Sequence, residues 1–261
     1  MVFLVKKIGR LLGLLLVVLC VSACGANQSA LNEIRNRGML RVGVKMDVPH
    51  FGYLNPETNI HEGLEIDIAK LIAKELLGDS NAVKLVGITA QTREAMLDNG
   101  ELDMVIATYT ITEERKKMFH FAGPYYQDAI GFMVLKGSAI SNMNDLAGKT
   151  VGFAQFGTAE SALTEEVAAR GIHIGFQKYA SYPEVIAALL SGGVDAFAVD
   201  KSILTGYLTD ETAIIDETFR PQDYGIAIKK DNAALIKFVD DLIAKVQKDG
   251  QLEAIIDRWT K

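Results

Sequence analysis

The chain has 261 residues, 49% of them hydrophobic, with 27 Lys and Arg against 33 Asp and Glu. Its net charge of −6 argues against a nucleic-acid partner. The two cysteines, Cys20 and Cys24, and the scattered His50, His61, His120 and His173 lack metal-ligand spacing, and no cofactor is expected.

Lys6, Lys7 and Arg10 precede a short apolar run, Leu11 to Cys20. Spanning a bilayer would take about 20 apolar residues, so this segment reads as an export signal rather than a fold element. The following Val21-Ser22-Ala23-Cys24 resembles a bacterial lipobox. Residues 1–23 are therefore expected to be a lipoprotein signal peptide, Cys24 the lipid anchor and 24–33 a polar tether. Cleavage would remove Cys20 and leave no disulfide, so the mature chain must rely on its core. Its length suits two domains of about 100 residues each.

Leu40 to Val44 predicts a strand, and Leu64 to Leu77 an amphipathic helix stopped at Gly78. Val83–Val86 is strand-like, Thr92–Asn99 helical and Met104–Ala107 the next strand. The pattern restarts at Lys149–Ala154, where Gly152 takes the part of Gly43, and continues through helices over 159–169 and 183–190 to a strand over 196–199. One phrase occurs twice: Leu97-Asp-Asn-Gly100-Glu-Leu-Asp103 running to Thr108, and Leu190-Ser-Gly192-Gly-Val-Asp195 running to Asp200. Each predicts a helix end, a tight turn and a buried parallel strand with a polar residue at its carboxyl end, where open α/β sheets bind ligands. Ala129–Leu135 and Tyr224–Ile228 look like extended crossings, and the helical tail over 233–259 is expected to return to the first lobe. The expected fold is thus α/β and two-lobed: two mostly parallel sheets, helices on both faces, two crossing strands. Lobe 1 would comprise 34–131 plus 226–261, and lobe 2 132–225.

Thr112 is a plausible N-cap that sets Arg115 near the end of the strand carrying Thr108; a guanidinium there suits a carboxylate, or belongs to a solvated helix start. Gln155-Phe156-Gly157-Thr158 joins strand to helix, so Thr158 either caps that helix or lends its hydroxyl and nearby N–H groups to an anion. Asp200 suits an ammonium, and could instead pair with Lys201 or cap the helix starting near Ser202. Together Arg115, Thr158 and Asp200 offer a clamp for the head group of an α-amino acid.

The succession Gly63-Leu64-Glu65-Ile66-Asp67, Gly100-Glu101-Leu102-Asp103, Thr110-Ile-Thr-Glu-Glu-Arg115-Lys116 and Phe121-Ala-Gly-Pro124-Tyr125-Tyr126 resembles the family 3 extracellular solute-binding proteins of polar amino acid ABC importers. The resemblance implies a type II periplasmic-binding-protein fold. It also implies that Arg115, with Thr110 and Thr158, binds the ligand α-carboxylate and Asp200 the α-ammonium. Lys45 stands where receptors for cationic amino acids often carry an acid, and Arg93 where the family faces its cleft. Two extra cations would repel a basic ligand and attract a second carboxylate. Gly43 to His50, Ala90 to Arg93 and Tyr182-Pro183 resemble the aspartate/glutamate-binding branch. Val48 replaces a stacking aromatic, Leu64 replaces a phenylalanine as core packing, and Met39, Met96, Met104 and Met118 are expected to fill core.

The expectation is an extracytoplasmic, lipid-anchored, monomeric receptor that captures an acidic amino acid by closing two lobes and delivers it to permease subunits. Lys45, Arg93, Thr108, Thr110, Arg115, Thr158, Tyr182 and Asp200 would line its site. A glutamine or general polar amino acid receptor is the alternative. A cyclohexadienyl-dehydratase-like enzyme on this scaffold is a further one, disfavoured because Arg115 and Asp200 are explained without catalysis and Lys45 has no role in it.

Overall fold

The computed structural model describes residues 30–261; the expected signal peptide, Cys24 and most of the expected tether lie outside the described residues. Residues 30–37 form α1. The first half then runs β1 (Leu40–Val44), β2 (Asp47–Val48), β3 (Gly52–Leu54), β4 (His61–Glu62), α2 (Leu64–Leu77), β5 (Val83–Gly87), α3 (Arg93–Asp98), β6 (Met104–Val105) and α4 (Glu113–Met118). A long strand, β7 (Phe119–Leu135), crosses to the second half: β8 (Thr150–Ala154), α5 (Ala159–Ala169), β9 (Gly175–Tyr179), α6 (Tyr182–Leu190), β10 (Ala196–Asp200), α7 (Lys201–Gly206) and β11 (Thr212–Ile214). Strand β12 (Phe219–Lys229) returns, followed by α8 (Ala233–Lys248) and α9 (Gln251–Thr260).

Each half holds a three-stranded parallel core, β5-β1-β6 in the first and β10-β8-β9 in the second. The antiparallel pair β12 and β7 lies between them and pairs from Phe219 with Ile130 to Lys229 with Phe119. Hydrogen bonding is therefore continuous from one core to the other. The crossings are longer than the two apolar runs suggested, because Phe119–Tyr126 is also extended.

Side-chain alternation places helices on both faces. On β6, Met104 packs with α2 while Val105 packs with Leu97 of α3; on β10, Phe197 packs with Val185 and Leu189 of α6, and Ala196 and Ala198 with α5. Helix α2 ends at Gly78 with φ 83°, a left-handed cap that suits glycine. The tail helices meet the first half, α8 against β7 and α9 against α2. Met104 is core, as expected, whereas Met118 is 51% exposed.

The repeated phrase has the same local construction in both halves. The N–H of Asp103 donates to Arg41 O at 2.9 Å and its carboxylate accepts from Arg41 N at 2.7 Å. Asp195 does the same with Thr150, at 2.8 Å each way. This reciprocal pair sets the register that brings Gly43 beside Val105 and Gly152 beside Phe197. A Cβ at Gly43 would lie 2.7 Å from Leu102 Cδ1, and one at Gly152 3.2 Å from Val194, so each phrase packs its apolar residue onto the glycine of the preceding strand. Five residues beyond each aspartate come Thr108 and Asp200, in the same place in their halves.

Candidate functional site

Between the two halves lies a cleft with about 410 Å³ of empty space, including its open mouth. Arg93, Thr108, Thr110, Arg115, Thr158, Tyr182 and Asp200 line it. Lys45 is not among the lining residues. It is 6% exposed, pairs with Asp47 at 2.9 Å and lies 4.9 Å from the centre of the Tyr182 ring, so it reaches the cleft through that ring. Val48 is buried and does not line the cleft either.

In the first half, the chain leaves β6 and turns at Thr108, whose φ of 42° is unusual for a β-branched residue. Glu65, in the first turn of α2, braces that turn: its Oε1 accepts from Thr108 N at 2.5 Å and from the Tyr125 hydroxyl at 2.6 Å. Glu65 is fully buried, and its Oε2 has no partner among the described residues. Burial pushes its carboxyl up to about 7, although the Tyr125 and Thr108 hydrogen bonds and the charges of Lys45 and Arg93 favour the ionised form. A charged residue on the buried face of α2, in line with Ile68, Ala69 and Ile72, was the available sequence signal for this role.

Arg115 sits in the first turn of α4, where the Thr112 hydroxyl accepts from its backbone N–H as the sequence predicted. Its Nη1 donates to Thr110 O at 2.8 Å, and its Nη2 reaches the opposite half to meet Phe156 O at 3.4 Å. Phe156 has φ 63°, a second strained non-glycine residue at the cleft. Arg93 and Arg115 both lie over the Tyr109 ring, 3.8 and 4.6 Å from its centre. Burial lowers Arg115 to about 10, with Arg93 adding like-charge repulsion, and burial lowers Arg93 as well. Arg93 is 4% exposed; its Nε has no partner and no carboxylate pairs with it among the described residues.

In the second half, Asp200 ends β10 and is 5% exposed. It neither pairs with Lys201 nor caps α7. Asp128 from β7 takes the Ser202 N–H at 3.1 Å and the Ser202 hydroxyl, which leaves Asp200 directed at the cleft. The Tyr224 hydroxyl donates to Asp200 at 2.5 Å. Burial pushes Asp200 up to about 7; the Tyr224 bond opposes this and the nearby Asp128 reinforces it.

Thr158 stands at the N-cap position of α5 without capping it. Its hydroxyl donates to Gln222 Oε1 at 2.7 Å, and the Thr110 hydroxyl donates to the same oxygen at 2.9 Å. Gln222 is absent from the sequence-predicted set. The one hint was Pro221 within an otherwise strand-like run, which marks an irregular strand. The cleft thus presents guanidiniums from one half and a carboxyl from the other, the complement of a zwitterion. No group of three or more metal-ligating side chains occurs among the described residues.

Residues 40–261 match the family described as Bacterial extracellular solute-binding proteins, family 3. The chain is 36% identical to the ABC transporter glutamine-binding protein GlnH of Bacillus subtilis over 261 residues, 95% of this chain and 94% of that one. It is 41% identical to a glutamine-binding protein of Geobacillus stearothermophilus over 209 residues, 79% of this chain and 78% of that one. The solved cysteine-binding protein of Campylobacter jejuni superposes with a TM-score of 0.81 at 31% identity, over 89% of this chain and 93% of that one. These likenesses give amino acid binding in the service of an ABC importer, outside the cytoplasm. The two named glutamine-binding relatives do not support the aspartate/glutamate branch suggested by the Gly43–His50 and Ala90–Arg93 stretches and Tyr182-Pro183. The chain belongs to the family 3 extracellular solute-binding proteins.

Proposed function

We propose that the protein is a receptor that binds an acidic amino acid between its lobes without breaking a bond. In this reading Arg115 takes the α-carboxylate, Asp200 the α-ammonium, and Arg93 the oxygen at the end of the ligand side chain. The observation that carries it is Arg93, a buried guanidinium at the cleft with no carboxylate partner among the described residues. A buried charge costs several kcal/mol until it is paired. An aspartate or glutamate side chain would supply both the hydrogen bonds and the countercharge.

Glutamine is the second reading, and the relatives favour it. Its amide oxygen would meet the Arg93 donors and leave the charge uncompensated. The Lys45–Asp47 pair also weakens the acidic reading, because Lys45 is partly neutralised before any ligand arrives. Membrane anchoring through Cys24 and a monomeric state belong to the same proposal.

Calorimetric titration with aspartate, glutamate, glutamine and arginine, on the natural chain and on Arg93→Ala, separates these readings. The acidic reading expects an acid to bind at least tenfold tighter than glutamine, and Arg93→Ala to remove that margin. Tighter binding of glutamine would replace it with the second reading. No binding of any amino acid would defeat both.

A further inference from the structure

Gln222 is 2% exposed, lies on the crossing strand β12 and belongs to neither pole of the cleft. The strand is irregular just before it: the register shifts between Phe219 and Pro221, and Arg220 has φ 48°. Gln222 Nε2 donates to Arg220 O and to Pro221 O, at 3.1 Å each. Both partners are carbonyls and can only accept, so the amide orientation is fixed by chemistry. Its oxygen must then face the two threonine hydroxyls, and both must donate to it.

We propose that Gln222 is a positioning residue for ligand capture: one oxygen that orients a cleft-lining hydroxyl from each lobe and ties the lobes together at the cleft. Thr110 follows β6 in the first lobe, Thr158 precedes α5 in the second, and Gln222 rises between them from the crossing strand. Each hydroxyl has a single proton. With that proton committed to Gln222, the hydroxyl has none left for an anion, so what Gln222 fixes is the place of each threonine in the cleft wall rather than a hydrogen bond to the ligand. Two cleft-lining residues, one from each lobe, are thus held in place before ligand arrives, which lowers the ordering cost of binding. The same contact makes the position of Thr158 relative to Thr110 part of the site, alongside the reach of Arg115 to Phe156 O. The inference rests on amino acid binding in this cleft and is indifferent to which side chain the ligand carries.

A double-mutant cycle in the full chain tests it, with glutamate and glutamine as probes and Kd as the readout. Gln222→Leu and Thr158→Val are each expected to weaken binding about tenfold, the equivalent of one hydrogen-bonded contact. If Gln222 acts through Thr158, the combined variant loses less than threefold beyond the weaker single variant. A residue that merely stabilises the fold would instead give losses that multiply, and that result would overturn the proposal. So would a Gln222→Leu chain that binds within twofold of the natural one. Should Gln222→Leu fail to fold, Gln222→Asn serves in the same cycle, because it keeps the amide and withdraws the oxygen by about 1.5 Å. A natural chain that binds neither probe would defeat the receptor reading itself, whereas multiplying losses in a chain that binds defeat the role of Gln222 alone.

Discussion

In the first lobe the polar residue just past β6, Thr108, is neutral and flanked by Arg93 and Arg115; in the second the equivalent residue is Asp200, which accepts from a tyrosine hydroxyl and lies near a second carboxylate, Asp128. The scaffold beneath the two ends is the same, down to the aspartate that holds the preceding strand and the glycine that the phrase packs against. A repeated fold therefore does not repeat its chemistry. The strand, turn and register are fixed by packing and backbone pairing. The side chain five places past each aspartate lines the cleft instead, and the neighbouring elements decide its charge.

The comparison breaks first if the two poles are not both needed. Arg115→Ala removes the guanidinium of the carboxylate pole, where each charge-assisted hydrogen bond contributes about 1.5–3 kcal/mol. Amino acid affinity by calorimetry is expected to fall about a thousandfold. A loss below tenfold would mean that the carboxylate sits elsewhere.

Stability against pH probes a buried carboxyl in each lobe. Glu65 and Asp200 both lie near 7 in the folded chain, above their ordinary values of 4.5 and 3.8. Between those values and 7 the unfolded chain has lost protons that the folded chain retains, so stability is highest at the acidic side and falls as pH rises to about 7. Glu65 accounts for roughly 3 kcal/mol of that fall and Asp200 for roughly 4 kcal/mol. Denaturant midpoints between pH 4 and 8 are expected to flatten in part for Glu65→Gln and in part for Asp200→Asn. An unchanged slope in either variant would show that the residue ionises normally.

The ammonium pole is tested by Asp200→Asn, which keeps the shape and removes the charge; a loss of about a hundredfold is expected. In the natural chain, affinity should decline as pH drops below about 7, because a protonated Asp200 no longer attracts an ammonium. That decline should vanish in Asp200→Asn.

The smallest effects concern the shared scaffold. Asp103 bonds Arg41 N and pairs with the guanidiniums of Arg37 and Arg41, whereas Asp195 bonds Thr150 N and lies 3.7 Å from Lys149. Asp103→Ala is expected to cost about 2 kcal/mol and Asp195→Ala about 1 kcal/mol, with ligand affinity unchanged in both. Equal costs would remove this difference between the lobes.

The halves, their strands and both cleft poles were legible because they depend on periodicity, on glycine at fixed places and on local caps such as Thr112. Residues whose role comes from a distant partner were not. The carboxylates of Asp103 and Asp195 looked like ordinary turn residues, since their contacts are with a strand some 60 and 45 positions earlier. Glu65 passed as part of a core helix, and Gln222 fell just before the expected crossing, Tyr224–Ile228, which the structure extends back to Phe219. Thr158 and Asp200 were each open to a capping role, and other contacts decided against it: Gln222 takes the Thr158 hydroxyl, and Asp128 takes the helix start that Asp200 adjoins. Lys45 was read as a free cation because its pairing with Asp47, two residues on, depends on how β1 turns into β2.

The central claim is that lobe 1 holds the ligand carboxylate and lobe 2 its ammonium, and a ligand-side deletion tests it most directly. Glutarate is glutamate without the α-ammonium. The measurement is the ratio of glutamate to glutarate affinity, by calorimetry, in the natural chain and in Asp200→Asn. The account predicts a ratio of about a hundred or more in the natural chain that collapses to near one in the variant; a ratio that Asp200→Asn leaves unchanged would contradict it.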